Sequence, residues 1–96
     1  MILLGNKFII MHSEDNCATS LIDISKDETI TIKEKTIIKI NHKIPLGHKF
    51  ALRDISKGDL IKKYGEIIGI ATQDIKNGDW IHTHNIKSHY LEAIKK

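Results

Sequence analysis

The sequence predicts one mainly β domain assembled from many short, bent strands. Isoleucine dominates its apolar residues and aromatics make up only 5% of the chain; β-branched side chains suit a pleated, half-buried surface. Apolar and polar residues alternate over residues 29–33 and 36–41, the period of a strand with one buried face. An eight-residue pattern, D-I-x-x-G-D-x-I, also recurs at residues 54–61 and 74–81, with a fainter copy at 23–30 in which Asp27 replaces the glycine. Each copy reads as a strand end, a turn at a conformationally permissive residue, and a new strand. The irregular spacing of these copies argues against a solenoid. Their acids read as local caps on backbone amides, so Asp54, Asp59, Asp74 and Asp79 are not catalytic candidates.

Length and composition narrow the class. A chain of 96 residues holds one core and buries roughly 60–65% of its unfolded surface, so its stability margin is thin and homo-oligomers or partner subunits can supplement it. The net charge is +3, but the lysines are scattered among acids with no basic, aromatic-interleaved stripe, which argues against nucleic-acid binding. Cys17 is the single cysteine, so no internal disulfide forms and nothing requires an oxidising compartment. The apolar start, residues 1–11, is short and interrupted by Asn6 and Lys7; it reads as strand rather than signal peptide or membrane span. A cytoplasmic protein without membrane association is the expectation.

In chain order, apolar runs at 2–4 and 8–10 flank Gly5-Asn6, as one bulged strand or two short ones. Residues 12–16, H-S-E-D-N, have loop chemistry. Residues 18–24 fit either strand or short helix. Lys33-Glu34-Lys35 turns the chain between two strands. Pro45 to His48 is a break, residues 49–55 a strand, Tyr64-Gly65 a turn, and 67–71 a strand containing Gly69. Residues 80–84 read as a further strand. Residues 1–87 form the domain; 88–96 are a tail, with Ser88 able to cap one or two helical turns.

The densest chemistry lies at residues 74–85. On a strand over 80–84, His82 and His84 would share one face, with backbones roughly 6.5–7 Å apart. Such imidazoles can converge on one ion or serve as proton donor and acceptor; a polar strand face that happens to contain two histidines is the alternative. Residues 12–16 admit an Asx-type turn. Lys49 can pair with a carboxylate, but alternation places it opposite His48. His42 and His89 read as surface residues, Cys17 as a small buried hydrophobe, and Trp80 as core or interface.

His12-Ser13-Glu14-Asp15-Asn16, Gly47-His48-Lys49-Phe50-Ala51-Leu52, the D-I-x-x-G unit, Tyr64-Gly65 with Ile68-Gly69, and Trp80-Ile81-His82-Thr83-His84-Asn85 occur in one order. Together they resemble the small N-terminal domain of the altronate and galactarate dehydratase family, and also the small subunit of sulfolactate sulfo-lyase. The resemblance implies an SAF-type β-clip. It implies a non-autonomous piece of a hydro-lyase, completed by a large catalytic subunit, that eliminates water or sulfite from a sugar acid or sulfolactate. On that reading His82 and His84 bind a divalent metal, iron or manganese ahead of zinc, at least once the partner is present. His12 or His48 transfers protons, and Asp15, Asn16, Lys49 and Asn85 contact substrate. His12 or His48 should then approach the His82–His84 pair on a face open to solvent. The competing class is a non-catalytic SAF-type module that binds carbohydrate or chaperones assembly.

Overall fold

The repeated turns, rather than any long strand, set the architecture. The computed structural model describes residues 3–32 and 36–88, and among these all regular structure is strand. The strands are β1 (Leu3–Leu4), β2 (Phe8–Ile10), β3 (Cys17–Ser20), β4 (Thr29–Ile32), β5 (Thr36–Lys39), β6 (Lys49–Ala51), β7 (Leu60–Lys63), β8 (Glu66–Ala71), β9 (Trp80–Ile81) and β10 (Ile86–Ser88). All pairs are antiparallel. A five-stranded sheet runs β1-β2-β3-β6-β9, a three-stranded sheet runs β10-β8-β7, and β4–β5 form a separate hairpin. The mainly β expectation holds.

Alternation gives the central sheet two buried faces. Phe8, Ile10, Ala18 and Phe50 join Ile24, Ile30, Ile38, Ile40 and Ile44 in one cluster, with Trp80 packed against it. Cys17, Ala51 and Ile81, one residue along from those, join Ile55, Ile61, Ala71 and Ile75 in a second. Each fully buried isoleucine contributes about 1.5–3 kcal/mol, and isoleucines make up most of both clusters.

The repeat has four members, one more than the sequence reading found. Residues 43–50, K-I-P-L-G-H-K-F, adopt the same conformation as the copies beginning at 23, 54 and 74. The copies pair reciprocally. Ile24 and Ile44 exchange backbone hydrogen bonds of 2.9 and 2.8 Å, and Ile55 and Ile75 exchange bonds of 2.7 Å each way. Within each pair the bridging isoleucines are 20 residues apart in sequence, so a regular duplication lies under the irregular spacing. The fifth residue of every copy has positive φ: Asp27 at 72°, Gly47 at 83°, Gly58 at 91° and Gly78 at 84°. Its N–H donates to the residue four before the bridging isoleucine of the partner copy: Asp27 to Ile40, Gly47 to Ser20, Gly58 to Ala71, Gly78 to Ala51.

The acids of the pattern cap, as expected. Asp23, Asp54 and Asp74 accept across each pair from the N–H of Leu46, Asn77 and Lys57, at 2.8, 2.9 and 2.9 Å. Glu28, Asp59 and Asp79 accept from the third residue of their own copy, Ser25, Ser56 and Lys76. Lys7 and Ser25 hold the Glu28 carboxyl below the usual carboxylate range.

Several sequence expectations are corrected. Residues 18–24 resolve as strand β3 followed by the first repeat copy. The strand expected over 49–55 stops at Ala51, because residues 52–53 bend into the third copy, which starts at Asp54. Ser88 lies in β10, paired with Gly69; the helical turns expected after it lie outside the described residues. The expected turn at 33–35 and the tail beyond 88 lie outside the described residues.

The four positive-φ sites differ in what surrounds them. A Cβ at Gly78 would lie 2.0 Å from the Lys39 carbonyl oxygen, whereas one at Gly58 would meet nothing within 4 Å. Gly58→Ala should therefore cost only the left-handed strain, about 1–2 kcal/mol. Gly78→Ala should cost ~3 kcal/mol or more, because backbone must also shift. Urea unfolding of both variants checks this; equal losses would contradict it.

Candidate functional site

The polar residues expected to form one site separate into two groups at opposite ends of β3 and β6. His12, Asp15 and Asn16 stand before β3, next to the β7–β8 hairpin. That hairpin turns through Tyr64 and Gly65, with φ of 59° and 73°, the paired positive values of a two-residue type I′ turn. Asp15 is 2% exposed. Its carboxylate accepts from the N–H groups of Tyr64 (3.1 Å), Gly65 (2.8 Å) and His12 (3.0 Å). Asn16 donates to the Leu60 carbonyl and accepts from Lys62 N–H, both at 2.9 Å, so it completes the outer edge of β7 as a strand residue would. His12 lies against Gly65, and its Nδ1 accepts from Glu14 N–H at 3.1 Å. The loop is not an Asx turn, since neither Asp15 nor Asn16 accepts from the N–H two residues on; their side chains instead hold the backbone of residue 12 and of the β7–β8 hairpin.

The second group gathers around Trp80. In the register of β6 with β9, Lys49 faces Ile81 and Phe50 faces Trp80; one step further, His48 stands opposite His82. His48 and His82 ring centroids are 5.1 Å apart. His82 stacks on the indole at 5.0 Å and 9°, and His84 meets it at 5.4 Å and 50°. His48 lies 5.6 Å from the indole, and Trp80 Nε1–H donates to His48 Nδ1 at 3.2 Å. His48 and His82 are half-buried and His84 is exposed.

His82 and His84 do not share a strand face, because β9 ends at Ile81. Residues 82–85 form a turn in which Asn85 N–H donates to the His82 carbonyl at 3.0 Å. The buried Asn85 side chain fastens it, accepting from His82 N–H at 2.9 Å and donating to the Trp80 carbonyl at 2.8 Å. A turn, not strand alternation, brings both imidazoles to Trp80. Of the two residues expected to approach them, His48 does and His12 is held at the other loop. Lys49 is half-buried on the face opposite Phe50. Trp80, read from sequence as core or interface, is the ring that the imidazoles share, and only the long-range β6–β9 register places it beside His48.

The repeat explains why His48 is available. It occupies the sixth position, where the other copies carry Glu28, Asp59 or Asp79 to cap their own turns. Pro45 at the third position has no N–H to be capped, so an acid there would have no donor to serve.

The class this geometry defines is a small β module that fixes three imidazoles around one indole through paired turns. Residues 6–89 match the altronate/galactarate dehydratase SAF domain, and the chain belongs to that family. It is 43% identical over 81 residues to altronate dehydratase of Bacillus subtilis, covering 84% of this chain and 16% of that protein. It is 37% identical over 82 residues to altronate dehydratase of Escherichia coli, covering 85% of this chain and 16% of that protein. Over 45 residues, 47% of this chain, it is 47% identical to the (2R)-sulfolactate sulfo-lyase subunit alpha of Paracoccus pantotrophus, covering 67% of that subunit. The chain thus spans about one-sixth of the altronate dehydratases it matches.

Cys17 stays outside this chemistry. It is 1% exposed, and burial, assisted by the Asp15 charge, pushes its thiol up to about 11. A raised folded value means the unfolded chain loses this proton first, so the native thiol stays protonated at pH 8. Iodoacetamide at pH 8 should label Cys17 only after denaturant unfolds the chain; equally fast labelling of native protein would contradict this.

Proposed function

We propose that this chain is the small, non-autonomous part of a hydroxy-acid lyase and that it presents His48, His82 and His84 to a site completed by a large catalytic subunit. The reaction is β-elimination of water or sulfite from a 2-hydroxy acid, a sugar acid or sulfolactate. Its difficulty lies in the weakly acidic proton α to a carboxylate, since negative charge must be stabilised as that proton leaves. Imidazoles held rigidly at the edge of a binding face supply hydrogen bonds and proton transfer to such a substrate.

The single observation that carries this reading is the convergence of three imidazoles on Trp80, while Asp15, Asn16 and Asn85 are spent on backbone. Two further facts support it. The matched relatives named dehydratases are about six times longer than the aligned region, which leaves ample chain to complete a site. The segments 20–23 and 45–48 are tied by bonds from Leu46 N–H to Asp23 and from Gly47 N–H to Ser20, and they carry Leu21, Ile22 and Leu46 exposed. Exposed apolar side chains on segments next to His48 are compatible with a protein partner.

Metal belongs to this reading only in company. Among the described residues no three His, Cys, Asp or Glu side chains group to hold an ion. A divalent ion, iron or manganese ahead of zinc, would need donors from the large subunit.

The test is reconstitution. The chain alone should show no turnover of sugar acids or sulfolactate. With a large catalytic dehydratase polypeptide supplied in trans, one of these substrates should be converted, and His82→Ala should lower kcat by about 10²–10⁴-fold. Robust turnover by the chain alone would overturn the subunit role. Carbohydrate binding with no turnover in the reconstituted pair would favour the non-catalytic module.

A further inference from the structure

The contact between Trp80 and His48 specifies more than proximity. An indole N–H can only donate, so its partner nitrogen must offer a lone pair. At 3.2 Å that partner is His48 Nδ1. A neutral His48 therefore carries its proton on Nε2, and among the described residues no protein group takes that proton.

The ring has little freedom to do otherwise. His48 N–H closes its turn on the Pro45 carbonyl at 3.0 Å, its own carbonyl accepts from Ser20 N–H at 2.9 Å, and the Ser20 hydroxyl, 2.7 Å from the Pro45 carbonyl and 3.1 Å from that of His48, shares its one proton between them. The backbone is thus fixed on both sides, and the imidazole is bounded by the indole and His82. Trp80 is fixed in turn by pairing with Phe50 and by the bond from Asn85 to its carbonyl.

We propose that Trp80 is a positioning residue that holds His48 in the Nε2–H tautomer, so that His48 offers a neutral hydrogen-bond donor, not a base, to the shared site. Its part in turnover rests on the lyase reading; the tautomer does not. A donor fixed before substrate arrives stabilises charge developing on a carboxylate or leaving oxygen without reorganising. Removal of the α-proton then falls to another group.

The test separates the two levels. In the 15N-labelled full chain, long-range proton–nitrogen correlations should show His48 as a single Nε2–H tautomer, with its signals assigned by their loss in His48→Gln. Trp80→Phe keeps an aromatic ring but removes the donor, and should give a tautomer mixture while most amide signals stay in place. His82→Ala should leave the tautomer unchanged. A wild-type Nδ1–H tautomer, or a Trp80→Phe chain with the tautomer unaltered, would overturn the proposal. If Trp80→Phe does not fold, the wild type decides: a scalar coupling from the indole proton's nitrogen to His48 Nδ1 is expected, and its absence overturns the bond. In the reconstituted pair, Trp80→Phe should lower kcat by about 10–100-fold with KM little changed. A lost tautomer with unchanged kcat would overturn the positioning role. A wild-type pair without activity would sink the lyase reading and leave the tautomer result standing.

Discussion

The structure depends on a reciprocal exchange between turns. Ile24 with Ile44, and Ile55 with Ile75, each trade two backbone hydrogen bonds deep in the protein. Around each exchange, a positive-φ residue of one copy bonds the strand leading into the other. No copy is complete alone, because its turn amide and its bridging amide find partners in the other member or the segment leading into it, and in three of the four copies the leading acid caps across the pair. A chain this short has little core to spare, and the arrangement satisfies buried backbone groups that short, bent strands would otherwise leave open.

The same exchange places the imidazoles. The second copy ends its turn at His48 and the fourth ends its turn at Asp79, immediately before Trp80, and each copy launches one strand of the β6–β9 pair. Their register brings His48 beside the indole and His82. The Asn85 turn then folds His82 and His84 back onto the same ring. The second copy departs from the pattern at three positions: Lys43 for the leading acid, Pro45 for a capped amide and His48 for the capping acid. A position that caps its own turn in the other three copies thus carries an imidazole here.

The fold class was legible because β-branched abundance, alternation and the repeated Asp-Ile motif all report local physics. The capping roles of Asp54, Asp59, Asp74 and Asp79 were legible for the same reason. The second copy was hidden because it keeps only Ile44 and Gly47 of the pattern. The 80–84 strand was misread because Ile81 and Thr83 suit a strand locally, while the Asn85 side chain, acting from outside that window, closes a turn. His12 looked equivalent to His48 in sequence. Only the β3–β6 and β6–β9 registers, which are long-range, put them at different ends.

The central claim is that His48 stands in a capping position freed by Pro45. A double-mutant cycle between Pro45→Ser and His48→Asp measures this directly by equilibrium unfolding. Loss of the Trp80 contact occurs in both backgrounds and cancels, as does the backbone effect of replacing proline. Pro45→Ser restores the amide at the third position of the copy. The carboxylate introduced by His48→Asp should then cap that amide as Asp59 and Asp79 cap theirs, giving a favourable coupling of about 1–2 kcal/mol. A coupling of zero would mean that the four turns are not equivalent and that His48 owes its place to something else.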